Sequence, residues 1–169
     1  MDIGLLLLRL LVAATLWVHS TQKLLGWFGG PGVAKASEGF EGLGIRPGRP
    51  MVLFAVVAEL SGSVLLLLGL ATPAGAAIIA GTMLVAGLLV TIAKGTPWYI
   101  LGGGEYPFFL AVVAAALAFT GPGRWSLDAA FDLPWTSVGE GTSTLIGAAA
   151  TAIAIVAALV PVARARTAA

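Results

Sequence analysis

Residues 51–70 read MVLFAVVAELSGSVLLLLGL, an apolar run of twenty residues that contains a single charge, Glu59. A helix that crosses a bilayer needs roughly 20 mostly apolar residues, because each residue advances about 1.5 Å through a hydrocarbon core about 30 Å thick. Backbone in lipid must find its hydrogen bonds within its own segment, so such a run is expected to be helical. This stretch therefore predicts a membrane-spanning helix.

Four further stretches have the same character, although one of them is short. Residues 3–25, 74–93 and 143–162 are long enough to cross a bilayer, whereas residues 106–120 lie near the lower length limit. Residues 33–43 place apolar side chains at helical spacing opposite charged ones, which is typical of a short helix lying on the membrane surface. The sequence thus predicts an all-α polytopic membrane protein with five spans.

The overall composition supports this class. The chain has 169 residues, of which 59% are hydrophobic and 10% are charged, and its formal net charge is +1. Soluble domains carry about 25% charged residues, so this chain cannot cover a soluble surface with polar groups. The composition excludes a soluble enzyme, a disordered regulator and a nucleic-acid-binding protein, since the last also needs a strong positive field.

The residue counts also limit the chemistry. The chain contains no Cys and one His, which excludes thiol catalysis, iron–sulfur clusters and thiolate metal sites. A single His gives no bis-His haem or His-rich zinc site within one chain, so no metal site is predicted. The chain is therefore not expected to be catalytic alone, and in any redox role an organic carrier or a partner must hold the electrons.

Several charged or polar residues fall at membrane depth, where a charge is costly and needs a partner or a function. At 100° per residue, Arg9, His19 and Lys23 share one stripe of the first span. Measured from the loop between the first two spans, His19 and Glu59 lie at similar depths, roughly 9 and 12 Å at 1.5 Å per residue. We predict one intramembrane polar cluster formed by His19, Lys23, Glu59, Lys94 and Glu105.

Arg9 lies level with the opposite membrane surface. Asp2, Asp128 or backbone carbonyl groups are its expected partners there. We predict that Arg9, Arg124 and Asp128 are structural charges.

Two roles for the polar cluster remain open. It can be a binding pocket or proton relay, because a His beside a carboxylate titrates near neutral pH. A quinone head group would find hydrogen-bond donors in His19 and Lys23. Its ring would find stacking partners in Trp17, Trp98 or Tyr99. Alternatively, the same charges are ion pairs that fix the helix register, with the lysines extending to the interface.

Four motifs, in this order, resemble those of the DoxX family of small bacterial membrane proteins. They are HSTQKLLGWFGGPG at residues 19–32 with Arg9 before it, ELSGSVLLLLGLATP at residues 59–73, GEYP at residues 104–107 and GPGRWSLD at residues 121–128. Position 20 is Ser where the family commonly has Gly. The resemblance implies a DoxX-like four-helix transmembrane bundle over residues 1–132. Residues 133–169 would then add a connector, a fifth C-terminal transmembrane helix and a short basic tail.

The resemblance also suggests a function. The family name comes from a subunit of a thiosulfate:quinone oxidoreductase, which implies an accessory subunit of a quinone-linked redox or oxidative-stress system. A quinone is then the one cofactor to expect. The expected partners are the lipid bilayer, a redox enzyme or another membrane subunit, and further copies of the chain. The alternatives are a small transporter or proton-coupled permease using Glu59 and His19, and a structural membrane scaffold.

The Lys/Arg distribution predicts the orientation of the chain. Five spans place the termini on opposite sides of the membrane. Of the nine Lys and Arg residues, Arg9 and Arg124 fall on the N-terminal side and the other seven on the C-terminal side. This distribution predicts an N-terminus outside and a C-terminus inside, in a bacterial cytoplasmic membrane.

Overall fold

The computed structural model describes residues 2–167, and every regular element in that range is helical. Two 3₁₀ turns, Trp27–Gly29 and Tyr99–Leu101, accompany seven α-helices. The helices are α1 (Asp2–Leu25), α2 (Gly32–Gly42), α3 (Gly48–Leu68), α4 (Thr72–Lys94), α5 (Glu105–Thr120), α6 (Leu127–Ala130) and α7 (Glu140–Thr167). The predicted all-α fold class is confirmed.

Four of the helices are long and apolar enough to cross a membrane, namely α1, α3, α4 and α7. Helix α5 is also apolar but has only 16 residues, or about 24 Å at 1.5 Å per residue. The protein is therefore a multi-pass membrane protein. Within residues 2–167, the short apolar helix α5 is the one that the sequence predicts to lie near the lower length limit.

The helices extend past the predicted spans, because hydropathy marks the part that crosses lipid and not the helical ends. Helix α3 begins at Gly48, so Pro50 lies in its first turn. Proline is tolerated there, since the amide that it lacks would have no partner within the helix. Helix α7 runs to 28 residues and contains Pro161. Helix α2 is the predicted interfacial helix. It occupies Gly32–Gly42, so both of its ends lie one residue earlier than the predicted range of 33–43.

The bundle packs through small side chains. Helix α1 lies against α3, α3 against α4, and α4 against both α5 and α7, which also contact each other. The largest buried cluster combines Leu16, Ile79 and Leu117 with alanines of α4, α5 and α7. A Cβ on Gly87 would lie 2.7 Å from the ring of Phe108, so α4 and α5 approach too closely for a larger side chain there. Close approach of this kind is the usual basis of helix association in membranes.

The two ends of the bundle differ in their connections. At one end, called the α2 end below, lie the α1–α3 connection with α2, the C-terminus of α4 and the C-terminus of α7. At the other, called the α6 end, lie the N-terminus of α1, the α3–α4 turn and α6. The amide of Arg124 donates a 3.0 Å hydrogen bond to Asp2, which joins the start of α1 to the α5–α6 connection.

Candidate functional site

A buried carboxylate joins α1 to α3 near the α2 end. Glu59 of α3 is 2% exposed. Lys23 forms an ion pair with its Oε1, and the Ser20 hydroxyl donates a 3.0 Å hydrogen bond to its Oε2. Ser20 and Lys23 are three residues apart, so they lie on one face of α1. Both carboxylate oxygens therefore have a donor, which is the condition for burying a charge at tolerable cost. We call Ser20, Lys23 and Glu59 the ion-pair cluster.

His19 is next to Ser20 in sequence but has a different partner. Its Nε2 lies 3.2 Å from the hydroxyl oxygen of Tyr106, and the two ring centroids are 5.6 Å apart. This pair, called the His19–Tyr106 pair below, connects α1 to α5. His19 is half-buried and Tyr106 is 39% exposed. The pair therefore lies at the surface of the bundle.

The remaining residues of the predicted cluster lie at the same end but apart from Glu59. A carboxylate oxygen of Glu105 accepts a 2.9 Å hydrogen bond from the amide of Tyr99, which holds the loop before α5 against its N-terminus. Lys94 is exposed and takes part in neither of the two ion pairs among residues 2–167. The structure thus brings Lys23 and Glu59 together and gives His19, Glu105 and Lys94 separate environments.

The α6 end contains a second buried polar network. Arg9 is fully buried and donates a 2.5 Å hydrogen bond from Nη2 to the carbonyl of Trp125. Asp128, also fully buried, accepts 2.7 and 2.9 Å hydrogen bonds from the amides of Ala71 and Thr72 at the start of α4. A carboxylate at a helix N-terminus satisfies amides that have no partner within the helix. Asp128 therefore fixes the α5–α6 region to α4.

The two arginines of the α6 end, Arg9 and Arg124, have different surroundings. Among the protein atoms of residues 2–167, Nε and Nη1 of Arg9 have no hydrogen-bond partner. Gly69 covers this guanidinium, and any Cβ on Gly69 would collide with Nη1. Arg124 lies on the surface, 3.6 Å from a carboxylate oxygen of Asp2 and 5.7 Å from the ring centroid of Trp125.

Two shallow grooves lie on the surface of the bundle. One, of about 310 Å³, lies between α1 and α3 and is lined mainly by apolar atoms, with Trp17 and Ser63 among its lining residues. The other, of about 240 Å³, lies at the α6 end beside Asp2 and Arg124. Neither groove has Glu59 in its lining. Among residues 2–167, no group of three or more His, Asp or Glu side chains is placed to hold a metal ion.

Two partners were missed in the sequence. Ser20 stands out in the sequence only as a departure from the family's usual Gly, and its spacing from Lys23 is the signal that could have assigned it to Glu59. Tyr106 was noted only within the GEYP motif. Its contact with His19 depends on which side of α1 faces α5, and helical periodicity alone does not provide that information.

The fold and the ion-pair cluster define a polytopic helical membrane protein in which a buried glutamate, Glu59, has a partner at both carboxylate oxygens. The chain belongs to the DoxX family, whose model matches residues 4–92, from α1 to the last turn of α4. The resemblance seen in the sequence motifs is therefore confirmed.

Two curated relatives cover most of the chain. An uncharacterised protein of Haemophilus influenzae is 33% identical over a 130-residue match that covers 73% of this chain and 87% of that protein. A Bacillus subtilis protein named "Putative oxidoreductase CatD" is 30% identical over 127 residues, which are 75% of this chain and 86% of that protein. No solved structure matches the chain significantly.

Proposed function

We propose that this protein is an accessory membrane subunit of a quinone-linked redox or oxidative-stress system and is not catalytic alone. Membership of the DoxX family and the name of the Bacillus relative support a redox association. With no Cys and one His, the chain offers no thiol or cluster to carry electrons. A lipid-soluble carrier and a partner enzyme would hold the electrons. We expect the carrier and the enzyme in a bacterial cytoplasmic membrane.

The observation that carries this proposal is the half-exposed His19–Tyr106 pair. A quinone carbonyl needs a hydrogen-bond donor that it can reach from lipid, and a hydroxyl and an imidazole can both donate. Trp98 and Tyr99, which are 60% and 70% exposed, lie in the loop that Glu105 holds at the start of α5. They provide aromatic surface near the pair.

The structure changes which groups this proposal uses. Lys23 is committed to Glu59, so Tyr106 replaces it as the second donor. Trp17 precedes His19 by two residues, or about 200° around the helix, and therefore lies on another side of α1. It packs edge-on against Trp27 and Phe28, with ring centroids 6.2 and 6.3 Å away. The stacking partners are then Trp98 and Tyr99.

Titration of the purified protein with a short-chain ubiquinone or menaquinone analogue, followed by calorimetry, tests this proposal. His19→Ala and Tyr106→Phe each remove one hydrogen bond, so we expect each to weaken binding about fivefold, as for a loss of about 1 kcal/mol. Ser61→Ala is the control, because its hydroxyl bonds only within α3. Protein that binds no quinone and copurifies with no redox enzyme from native membranes would contradict the proposal.

A structural scaffold is the second candidate, and the ion-pair cluster favours it. Glu59 is buried, has a donor at each oxygen and lies outside both grooves. Under this alternative, Glu59→Gln and His19→Ala change stability alone and leave every measured binding or redox activity intact. A loss of quinone binding in His19→Ala at unchanged stability would exclude it.

The burial of Glu59 does not favour the transporter alternative, since a permease needs water or substrate to reach the titrating group. Proton or solute flux into liposomes tests this directly. Flux that Glu59→Gln abolishes would support transport, whereas flux that this variant leaves unchanged would count against it.

A further inference from the structure

Four arginines flank a contact at the α2 end, where the last turn of α7 packs against the connection between α2 and α3. Gly44 makes this contact possible, because a Cβ there would lie 2.6 Å from the carbonyl oxygen of Ala165. Leu43 and Ile45 pack against Val162 and Ala165 in the same apolar cluster. The arginines on the two sides of this contact are Arg46, Arg49, Arg164 and Arg166. We call these four residues the arginine corner.

The positive charge of the arginine corner has little local compensation. All four side chains are exposed, and none takes part in the two ion pairs among residues 2–167. The acidic groups of the adjacent helix are Glu38 and Glu41 of α2. Glu41 already accepts a 2.9 Å hydrogen bond from the amide of Gly48, and Glu38 is exposed nearly one turn before it. Within residues 2–167, the four guanidinium groups therefore have only these two carboxylates on the adjacent helix α2.

The position of the corner indicates what kind of anion it would meet. Arg46 and Arg49 lie at the start of one span, and Arg164 and Arg166 lie at the end of another, which is the level of lipid head groups. Leu159, which is 54% exposed, lies seven residues before Arg166 and so on the same face of α7. Val156, 63% exposed, continues this apolar surface into the membrane. A ligand with a phosphate and a long apolar chain would contact both the arginine corner and the exposed apolar face of α7.

We propose that the arginine corner binds the phosphate of an anionic phospholipid whose acyl chains lie along the exposed apolar face of α7. Guanidinium groups bind phosphate oxygens in pairs, with two parallel hydrogen bonds, which an ammonium group cannot reproduce. Basic pockets between the ends of membrane helices are a known setting for anionic lipid head groups. The contact between α7 and the α2–α3 connection makes the site, since it brings together two segments, distant in the sequence, that carry these charges.

Thermal unfolding of the full chain in detergent tests this site. The midpoint is compared with phosphatidylglycerol, phosphatidylcholine or inorganic phosphate added at equal concentration. We expect phosphatidylglycerol to raise the midpoint and to remain bound in native mass spectrometry, while the other two additions have little effect. Arg164→Gln with Arg166→Gln should lower the affinity for phosphatidylglycerol roughly tenfold or more. Lys35→Gln with Arg124→Gln removes the same charge elsewhere and should retain the affinity.

Two further variants separate geometry from net charge. Arg164→Lys with Arg166→Lys keeps the charge and loses paired hydrogen bonding, so we expect intermediate affinity. Gly44→Ala keeps all four arginines but forces α7 away from the connection, because Gly44 has φ +83° and no space for a Cβ. It should weaken phosphatidylglycerol binding as much as the double Gln variant does.

Three outcomes would overturn the proposal. One is equal stabilisation by phosphatidylglycerol and phosphatidylcholine. Another is stabilisation by inorganic phosphate that matches the lipid, which would show a simple anion site. The third is unchanged lipid binding in both the double Gln variant and Gly44→Ala, together with loss of an acidic protein partner, which would show that the corner binds protein.

Discussion

The ion pair between Lys23 and Glu59 is asymmetric, because the Glu59 side chain is 3% exposed and the Lys23 side chain is 19% exposed. The buried charge of Glu59 therefore depends on Lys23 more than the charge of Lys23 depends on Glu59. A buried charge that loses its partner costs about 3–5 kcal/mol. A lysine near the end of a helix can instead extend its ammonium group toward the interface.

We accordingly expect Lys23→Met to destabilise the protein by about 3–5 kcal/mol, because it leaves Glu59 buried without its cation. Glu59→Gln should cost less than half of that, since Gln retains the bond to Ser20 and Lys23 can move. Unfolding in mixed detergent micelles measures both values. The double variant, Lys23→Met with Glu59→Gln, is the control. It should regain part of the stability that Lys23→Met loses, because it removes the unpaired buried charge. Equal costs for the two single variants would contradict this account.

Asp128 presents a second residue-level prediction. Its two oxygens accept hydrogen bonds from the amides of Ala71 and Thr72. Asp128→Asn leaves one acceptor oxygen and removes the charge at the start of α4, so we expect a loss of about 1–2 kcal/mol. Asp132→Asn, at an exposed position four residues later, is the matched control and should have no measurable effect in the same unfolding assay. A similar loss in the control would contradict the capping role.

At the scale of elements, α7 is attached to the rest of the bundle by a stripe of small residues. Gly147, Ala150, Ala154 and Ala158 are buried along one face of this helix. A Cβ on Gly147 would lie 2.5 Å from the ring of Phe119 and 2.8 Å from its Cα, so α5 and α7 are in near-backbone contact there. Packing, and not charge, holds this helix in place.

Gly147→Leu should therefore separate α7 from α5 and destabilise the protein by about 1–3 kcal/mol, the usual cost of overpacking. Gly141→Leu provides the control within the same helix, because no atom lies within 4 Å of a Cβ at Gly141. Thermal unfolding of both variants in one detergent makes the comparison. If Gly141→Leu were as destabilising as Gly147→Leu, close packing would not be the cause.

The elements were easier to predict from the sequence than the contacts between them. Hydrophobic length and the Gly and Pro breakers determine each span almost alone, so α1 and α4 begin and end within about two residues of expectation. Depth along the helices placed His19, Lys23 and Glu59 in one predicted cluster with His19 level with Glu59, whereas the structure pairs Glu59 with Lys23, one turn further along α1. The partner of His19 depends on the order of helices around the bundle, which a single sequence does not encode in its periodicity. The paired cluster was therefore partly predictable, and the His19–Tyr106 pair was not.

At the scale of the whole molecule, the orientation in the membrane stays a prediction. Seven of nine basic residues lie at the α2 end, which should be cytoplasmic. The chain has no Cys, so single cysteines can report on each side without background. We expect Ser137→Cys, before α7, to react with a membrane-impermeant maleimide in intact cells. Thr167→Cys, at the end of α7, should react only after the membrane is opened. The reverse pattern would invert the orientation.

The division of the chain after residue 132 is likewise a prediction. The family match ends at residue 92, while α5 and α7 both pack against α4. Residues 133–169 would then be an added fifth span on a four-helix core, and the extensive contacts of α7 with α4 and α5 imply that it strengthens that core.

The short length of α5 has a consequence for the surrounding lipid. At about 24 Å, this helix is shorter than the hydrocarbon layer of about 30 Å that its neighbours cross. Lipids meet such a mismatch by thinning locally, so the head-group layer would dip toward the bundle along α5. Tyr106 is the second residue of this helix, and His19 lies beside it. A carrier that keeps its polar ring near the head groups would then reach this pair without entering the full depth of the membrane.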